Sequence, residues 1–304
     1  MARSEDGGLS FQRPVLVSKA GILPDLPHIA VDPITGRIYV VWPNLVQWQV
    51  FVAVSDDEGL TFSSPVPIGM PGKSPKHCAR VIVGKDSRVY CFWVQGNALW
   101  GSSSNNFGRS WEEPVLLAFL PTVWWLRDGV LAPPIPQLAV NPVSGNIHLV
   151  FHGRSEGTNV ETFTMIVDPD LNVLLPPKPV LKNAQAGSER FMPTIAIAPD
   201  GTIGVAFYER GVEGQSLLLR VVFAVSTDMG REFYVAKVSS VPFPVPPAYD
   251  PLRRPSYLGD YIALAADAEF FYLAWSDARD MVRTPNYPGG RPDLNIYFMR
   301  YPKP

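Results

Sequence analysis

Three apolar runs in this chain of 304 residues each end with an arginine close behind: FHGR at Phe151–Arg154, FYER at Phe207–Arg210 and WSDAR at Trp275–Arg279. A guanidinium presents a planar fork of donors that matches a carboxylate bidentately. Arg154, Arg210 and Arg279 brought to one place would therefore form an anion-recognition site, with Arg80 and Arg190 as further members. Glu209 and Asp277 stand beside two of these arginines, and the same residues can instead pair as structural staples. Acid–base chemistry is the second possibility. Glu209 and Tyr257 can serve as a nucleophile and its partner, with Asp260 or Asp277 as proton donor. Cleaving a glycosidic bond with retention needs two such groups about 5 Å apart. No metal site is expected, because His28, His77, His148 and His152 lack ligand spacing, and no cofactor is expected either.

The elements that must position these residues recur five times. Strand pairs read PHIAVDPITGRIYVVW from Pro27, ARVIVGKDSRVYCFW from Ala79, PQLAVNPVSGNIHLVF from Pro136, PTIAIAPDGTIGVAFY from Pro193 and GDYIALAADAEFFYLAW from Gly259. Turn-forming clusters split each pair, as short hairpin loops require. A third strand follows each pair (Gln49–Val54, Ala98–Ser102, Thr162–Val167, Leu219–Val225, Ile296–Arg300), then a polar turn and a short outer strand such as Pro14–Ser18 or Glu113–Ala118. The nearly continuous apolar runs of the first two strands suit burial on both faces. Repetition at this period predicts an all-β fold, a β-propeller in one domain over residues 1–304. Because the chain opens with a polar turn and outer strand and ends with a third strand, Ile296–Arg300 is expected to pair with Pro14–Ser18. That pairing would close a ring of five four-stranded antiparallel blades and remove the exposed sheet edges.

Composition narrows the function classes. Apolar residues make up 46% and charged residues 18%, enough for a large core beneath a modestly charged surface. The net charge of −2 and the lack of a basic run give no cationic footprint for nucleic acid. No segment approaches the roughly 18 apolar residues of a membrane span. The start, MARSEDGGLSF, lacks the basic and apolar regions of a signal peptide, so either a mature form or a different route is expected. Cys78 and Cys91 flank one hairpin, with Arg80 expected to face Cys91 and Cys78 to face Trp93; a bridge is open but a pair of small buried residues suits the spacing better.

The polar turns read SEDGGLSF at Ser4, SDDEGLTF at Ser55, SSNNFGRSW at Ser103 and STDMGREF at Ser226; the third unit has VDPDLNVLL instead, without the glycine or closing aromatic. Ser and Asp can bond back to backbone amides, and glycine permits positive φ. This pattern resembles the Asp-box, or bacterial neuraminidase repeat, of sialidase-like propellers, over nearly the whole chain. The resemblance implies that Asp6, Asp57, Asn106 and Asp228 are structural, on an outer rim far from any ligand. It also implies a ligand face where inner strands begin and second strands end, which is where the arginines and Glu209, Tyr257, Asp260 and Asp277 fall. Active sialidases carry an arginine triad, a Tyr/Glu nucleophile pair and an acid/base Asp on six blades. This chain has five units, and its nearest approach to the FRIP motif is ERFMP at Glu189–Pro193, one residue longer.

Three functions follow as expectations. The first is a recognition propeller for a glycan, including an acidic sugar, or for a protein surface, as an adhesion module or part of a larger extracellular, virion or cell-surface assembly. The second is an exo-acting glycoside hydrolase, and the third a purely structural subunit. Trp124 and Trp125, in a loop between repeats, stack on sugars or anchor a partner if exposed and seal a gap if buried. The insertions Val241–Leu258 and Ala278–Leu294 are expected to be long recognition loops.

Overall fold

The structure is a computed structural model that describes every residue except 19–23, 70–73, 75, 156–158, 183–186, 212–217, 246–255 and 286. Short turns between apolar runs yield antiparallel meanders in chain order. The first is β1 (His28–Val31), β2 (Ile38–Asn44), β3 (Gln49–Ser55) and β4 (Val66–Ile68). The second is β5 (Lys76–Val83), β6 (Val89–Gln95), β7 (Ala98–Ser104) and β8 (Val115–Phe119). A 3-10 turn, Arg127–Gly129, precedes β9 (Val130–Leu131). The third meander is β10 (Gln137–Val140), β11 (Ile147–Arg154), β12 (Val160–Val167) and β13 (Val173–Pro179). The fourth is β14 (Glu189–Ile197), β15 (Ile203–Arg210), β16 (Leu218–Ser226) and β17 (Tyr234–Val238), with β18 (Phe243–Pro244) beside β16. A parallel pairing of Val160 with Glu189 joins these two meanders into one sheet. β19 (Ser256–Tyr257) runs parallel to β9, and β20 (Ala263–Ala266), β21 (Phe270–Thr284) and β22 (Tyr287–Pro302) form a three-stranded sheet. The chain divides into two compact units, Met1–Phe119 with Pro169–Asn172, and Leu120–Asp168 with Val173–Pro304.

The all-β expectation holds, and three details are corrected. Pro14–Ser18 is not a strand, and among the described residues β22 pairs with β21 alone, so the expected closing pair is not formed. The N-terminal segment spends its backbone groups on itself: the Met1 amine donates to the Val15 carbonyl and the Val15 amide to that of Met1, both at 2.8 Å. Ala278–Leu294 is not a loop but the outer half of a hairpin that stays paired as far as Thr284 and Tyr287. Its prolines Pro288 and Pro292 are tolerated because β22 is an edge strand, where a missing amide donor costs no ladder bond. Finally, burial on both faces is true of β6 and β15 but not of β1, β10 or β20, each the edge of its sheet; β1 leaves Ile29 and Val31 about half exposed.

Two bulges displace the expected register. Cys78 adopts φ 56° and shifts β5 so that Val81, not Arg80, lies opposite Cys91; both cysteines are buried and free. In β14, Met192 at φ 51° absorbs residues between Phe191 and Thr194, so the additional residue of ERFMP is taken up without losing the pairing on either side.

The polar turns are self-contained. The Ser55 hydroxyl accepts the Gly59 amide at 2.7 Å, and Asp57 accepts the amide and hydroxyl of Thr61 at 2.9 and 2.6 Å. Those two bonds, the hydroxyl first, hold the Asp57 carboxyl down at about 2. Ser4 with Asp6, Ser104 with Asn106 and Ser226 with Asp228 repeat the arrangement. The glycines sit near φ 80°, and in the divergent third unit Leu171 takes that position at φ 64°.

Two expected outcomes follow from these turns and cores. Gly108 has φ 79°, and a side chain there would press on Val54 at 3.1 Å; Gly108→Val should lower unfolding free energy by about 1–3 kcal/mol in urea while leaving the ligand affinity of the folded fraction unchanged. His148 and His152 are almost fully buried, and burial lowers both rings to about 4. The unfolded chain takes up these protons near pH 6.5 and the folded chain only near 4, so stability complete above pH 6.5 should drain away between those values. Urea midpoints at pH 7, 5.5 and 4.5 should fall in that order; His148→Phe should flatten the slope.

Candidate functional site

Successive residues of a strand face opposite sides, so a Glu-Arg dipeptide sends its charges to different faces. The fourth meander has one such dipeptide where β14 starts, Glu189-Arg190, and another where β15 ends, Glu209-Arg210. Antiparallel register sets Glu189 opposite Arg210 and Arg190 opposite Glu209. Each face thus receives a cross-strand ion pair, and none of the four residues is more than 6% exposed.

On one face Arg210 Nε donates to Glu189 Oε2 at 2.7 Å, with Nη2 bonding the same oxygen. The pair also grips a turn. Glu189 accepts the Arg127 amide at 3.1 Å, and Arg210 donates to the Arg127 carbonyl at 2.8 Å. The turn closes through the Leu126 amide on the Val130 carbonyl at 2.9 Å, with Asp128 at φ 59° and Gly129 at φ 74°. Leu126 turns inward, while Trp125 is 55% exposed and the side chains of Arg127 and Asp128, which lie 3.6 Å from Glu189 and Arg210, are 50% and 56% exposed.

On the other face Arg190 lies between two carboxylates, donating to Glu209 Oε1 at 2.9 Å and to Glu161 Oε2 at 3.3 Å. The second oxygen of Glu209 accepts Arg220 Nε at 2.7 Å. Glu161 and Arg190 line a cleft of about 650 Å³, whose outer walls carry Lys178 and Lys182 on one side and Arg231, Glu232 and Phe233 on the other. Lys178 bonds the Arg231 carbonyl, and Lys182 meets Glu232 at 2.9 Å. Burial, the largest influence, pushes the Glu161 carboxyl above its ordinary range against the pull of Arg190, and Glu209 adds to the rise. A carboxyl whose proton affinity burial raises, facing a cleft, is suited to act as a general acid.

The other residues singled out from sequence are placed as follows. Asp277 is fully buried; it accepts the Trp275 indole at 3.0 Å and the Arg279 guanidinium at 2.9 and 2.6 Å, while Arg279 lies 4.3 Å from the centre of the Tyr297 ring. Arg279 thus has one carboxylate partner, Asp277, while Arg210 has two, Glu189 and Asp128, as Arg190 has Glu161 and Glu209. Arg154, at the end of β11, is exposed. Arg80 is buried in the second meander beside His28, whose ring burial and that positive charge lower to about 4. Tyr257 sits on β19, opposite Leu131 of β9, and Asp260 follows in a half-buried bend. Trp124 is half buried. Sequence reasoning passed over Glu161, Glu189, Arg127 and Asp128. The signal for Glu161 was a lone acid in the apolar run VETFTMIV; for Glu189 it was the mirrored dipeptides ER and ER on facing strands.

No family model and no curated protein sequence matches the chain. Among solved structures, an α-L-arabinanase from Penicillium chrysogenum complexed with arabinobiose superposes with TM-score 0.54 at 12% identity, covering 91% of this chain and 93% of that one. An α-L-arabinofuranosidase of Fusarium graminearum with arabinobiose gives TM-score 0.55 at 12% identity over 90% and 92% of the two chains. The Hadza microbial sialidase Hz136 gives 0.50 at 15% identity, over 91% of this chain and 56% of that one. At these identities the likeness concerns fold: the chain is all-β and is built like the β-propeller glycosidases.

The ion pair under the turn makes a sharp thermodynamic test. Glu189→Ala strands a buried guanidinium and should destabilise the protein by about 3–5 kcal/mol in urea unfolding, whereas Glu189→Leu combined with Arg210→Met should recover most of that loss. Equal losses in both variants would mean that the pair is not electrostatically coupled.

Proposed function

We propose that the protein is a glycoside hydrolase, exo-acting, whose chemistry takes place in the cleft between the third and fourth meanders. The observation that carries this reading is Glu161: a carboxyl pushed toward its protonated form by burial, lining a cleft within the size range of small-ligand sites. In this reading Glu161 delivers its proton to the glycosidic oxygen as the bond breaks, and Glu209, across Arg190, supplies the second carboxylate. Arg190 holds both in place, and the basic groups of the outer walls favour an acidic or highly hydroxylated sugar. The glycan-active proteins of similar fold support the class of reaction. Recognition without turnover, the reading that sequence favours, leaves the raised proton affinity of Glu161 without a use.

The experiment compares leaving groups. Glu161→Gln should lower kcat on a methylumbelliferyl glycoside by about 100-fold or more, yet spare a 2,4-dinitrophenyl glycoside, whose leaving group departs without a proton. Glu209→Ala should lose turnover on both and regain part of it with added azide. Unchanged activity of Glu161→Gln on both substrates, or no turnover by the parent protein across a panel of aryl pyranosides and furanosides, would refute the proposal.

A further inference from the structure

The geometry points to a second, non-catalytic sugar-binding site on the turn that carries Trp125, Arg127 and Asp128. The proposal goes beyond the hydrolase reading and does not depend on it. It starts from a conflict: the turn is held far more firmly than an exposed connection needs. Its backbone is clamped from both sides of one peptide unit region, with the Arg127 amide on Glu189 and the Arg127 carbonyl on Arg210. That clamp consumes a fully buried ion pair, which is expensive to form in a protein interior. The turn sets Asp128 and Gly129 both in the left-handed region, the conformation that an Asp-Gly hairpin turn favours. Neighbouring backbone bonds fix it further: Trp125 pairs with Leu131, and the Ala132 amide bonds the Trp124 carbonyl at 2.9 Å.

What this rigidity presents to solvent is chemically specific. Trp125 offers an indole more than half exposed, although the adjoining Val123, Leu126 and Val130 are buried in the core. An indole face packs against the C–H side of a ring, and its cost in lost side-chain freedom is already met by the fixed backbone. Arg127 and Asp128 follow within the same turn; Arg127 lies 3.6 Å from Glu189 and bonds the Gly187 carbonyl, Asp128 lies 3.6 Å from Arg210, and both side chains still keep about half their surface in solvent, one with further donors and the other with a further acceptor. A half-exposed indole followed within three residues by a half-exposed charged donor and acceptor matches in kind a sugar ring, which has an apolar C–H face and a rim of hydroxyls that both donate and accept. A purely apolar partner would leave Arg127 and Asp128 desolvated, and an anion alone would gain nothing from the indole.

The test reads binding without turnover. Both proteins carry Glu161→Gln so that the probe is not consumed, and they are run in native gels containing soluble arabinan, xyloglucan or sialylated mucin. The protein with Trp125 intact should be retarded by at least one of the three. Adding Trp125→Ala should raise the dissociation constant in that gel about tenfold or more, with an unchanged melting temperature, and Trp125→Phe should retain most of the retardation. Equal mobility with and without Trp125→Ala, or no retardation of the intact protein in any of the three gels, would overturn the inference. Because hydrolysis is not measured, failure of the cleft as a catalytic site leaves this result interpretable.

Discussion

Charge buried at the open end of the β14–β15 hairpin has to be neutralised where it lies, and much of the second unit is arranged around that requirement. An unpaired guanidinium in the interior would cost several kcal/mol, so Arg190 and Arg210 are tolerable only with carboxylates in contact. The facing dipeptides meet this need by symmetry, one pair per face. The remaining donors and acceptors of each pair then recruit further partners: the backbone of Arg127 on one side, and Glu161 and Arg220 on the other. A single hairpin end thereby orients two surfaces that share no side chain.

The two surfaces use burial differently. At the cleft, burial raises the proton affinity of Glu161 against the pull of Arg190. At the turn, the role of the paired charges is mechanical, fixing backbone that projects an indole outward. The same contrast separates the polar turns from both. Asp57 gathers hydroxyl and amide donors, which lower its proton affinity and remove it from acid–base work near neutral pH. These turns are fasteners that can recur along the chain because each satisfies itself within a few residues.

Local order and long-range placement were unequally legible in the amino-acid sequence. The meanders, their order and the polar turns follow from alternation and turn chemistry, which act between residues close in the chain, and these could be read directly. The role of Glu209 as a partner of an arginine was also legible, since charges adjacent on facing strands must meet once the register is set. Tertiary structure alone decided the rest. The bulges at Cys78 and Met192 shifted facing residues because a bulge depends on what packs beside the strand. The pairing of Ala278–Leu294 as hairpin, and of Pro14–Ser18 with its own neighbours, turned on competition for backbone partners that composition does not rank. The proton affinity of Glu161 and the exposure of Trp125 likewise depend on burial, a property of the assembled sheet that no segment of sequence contains by itself.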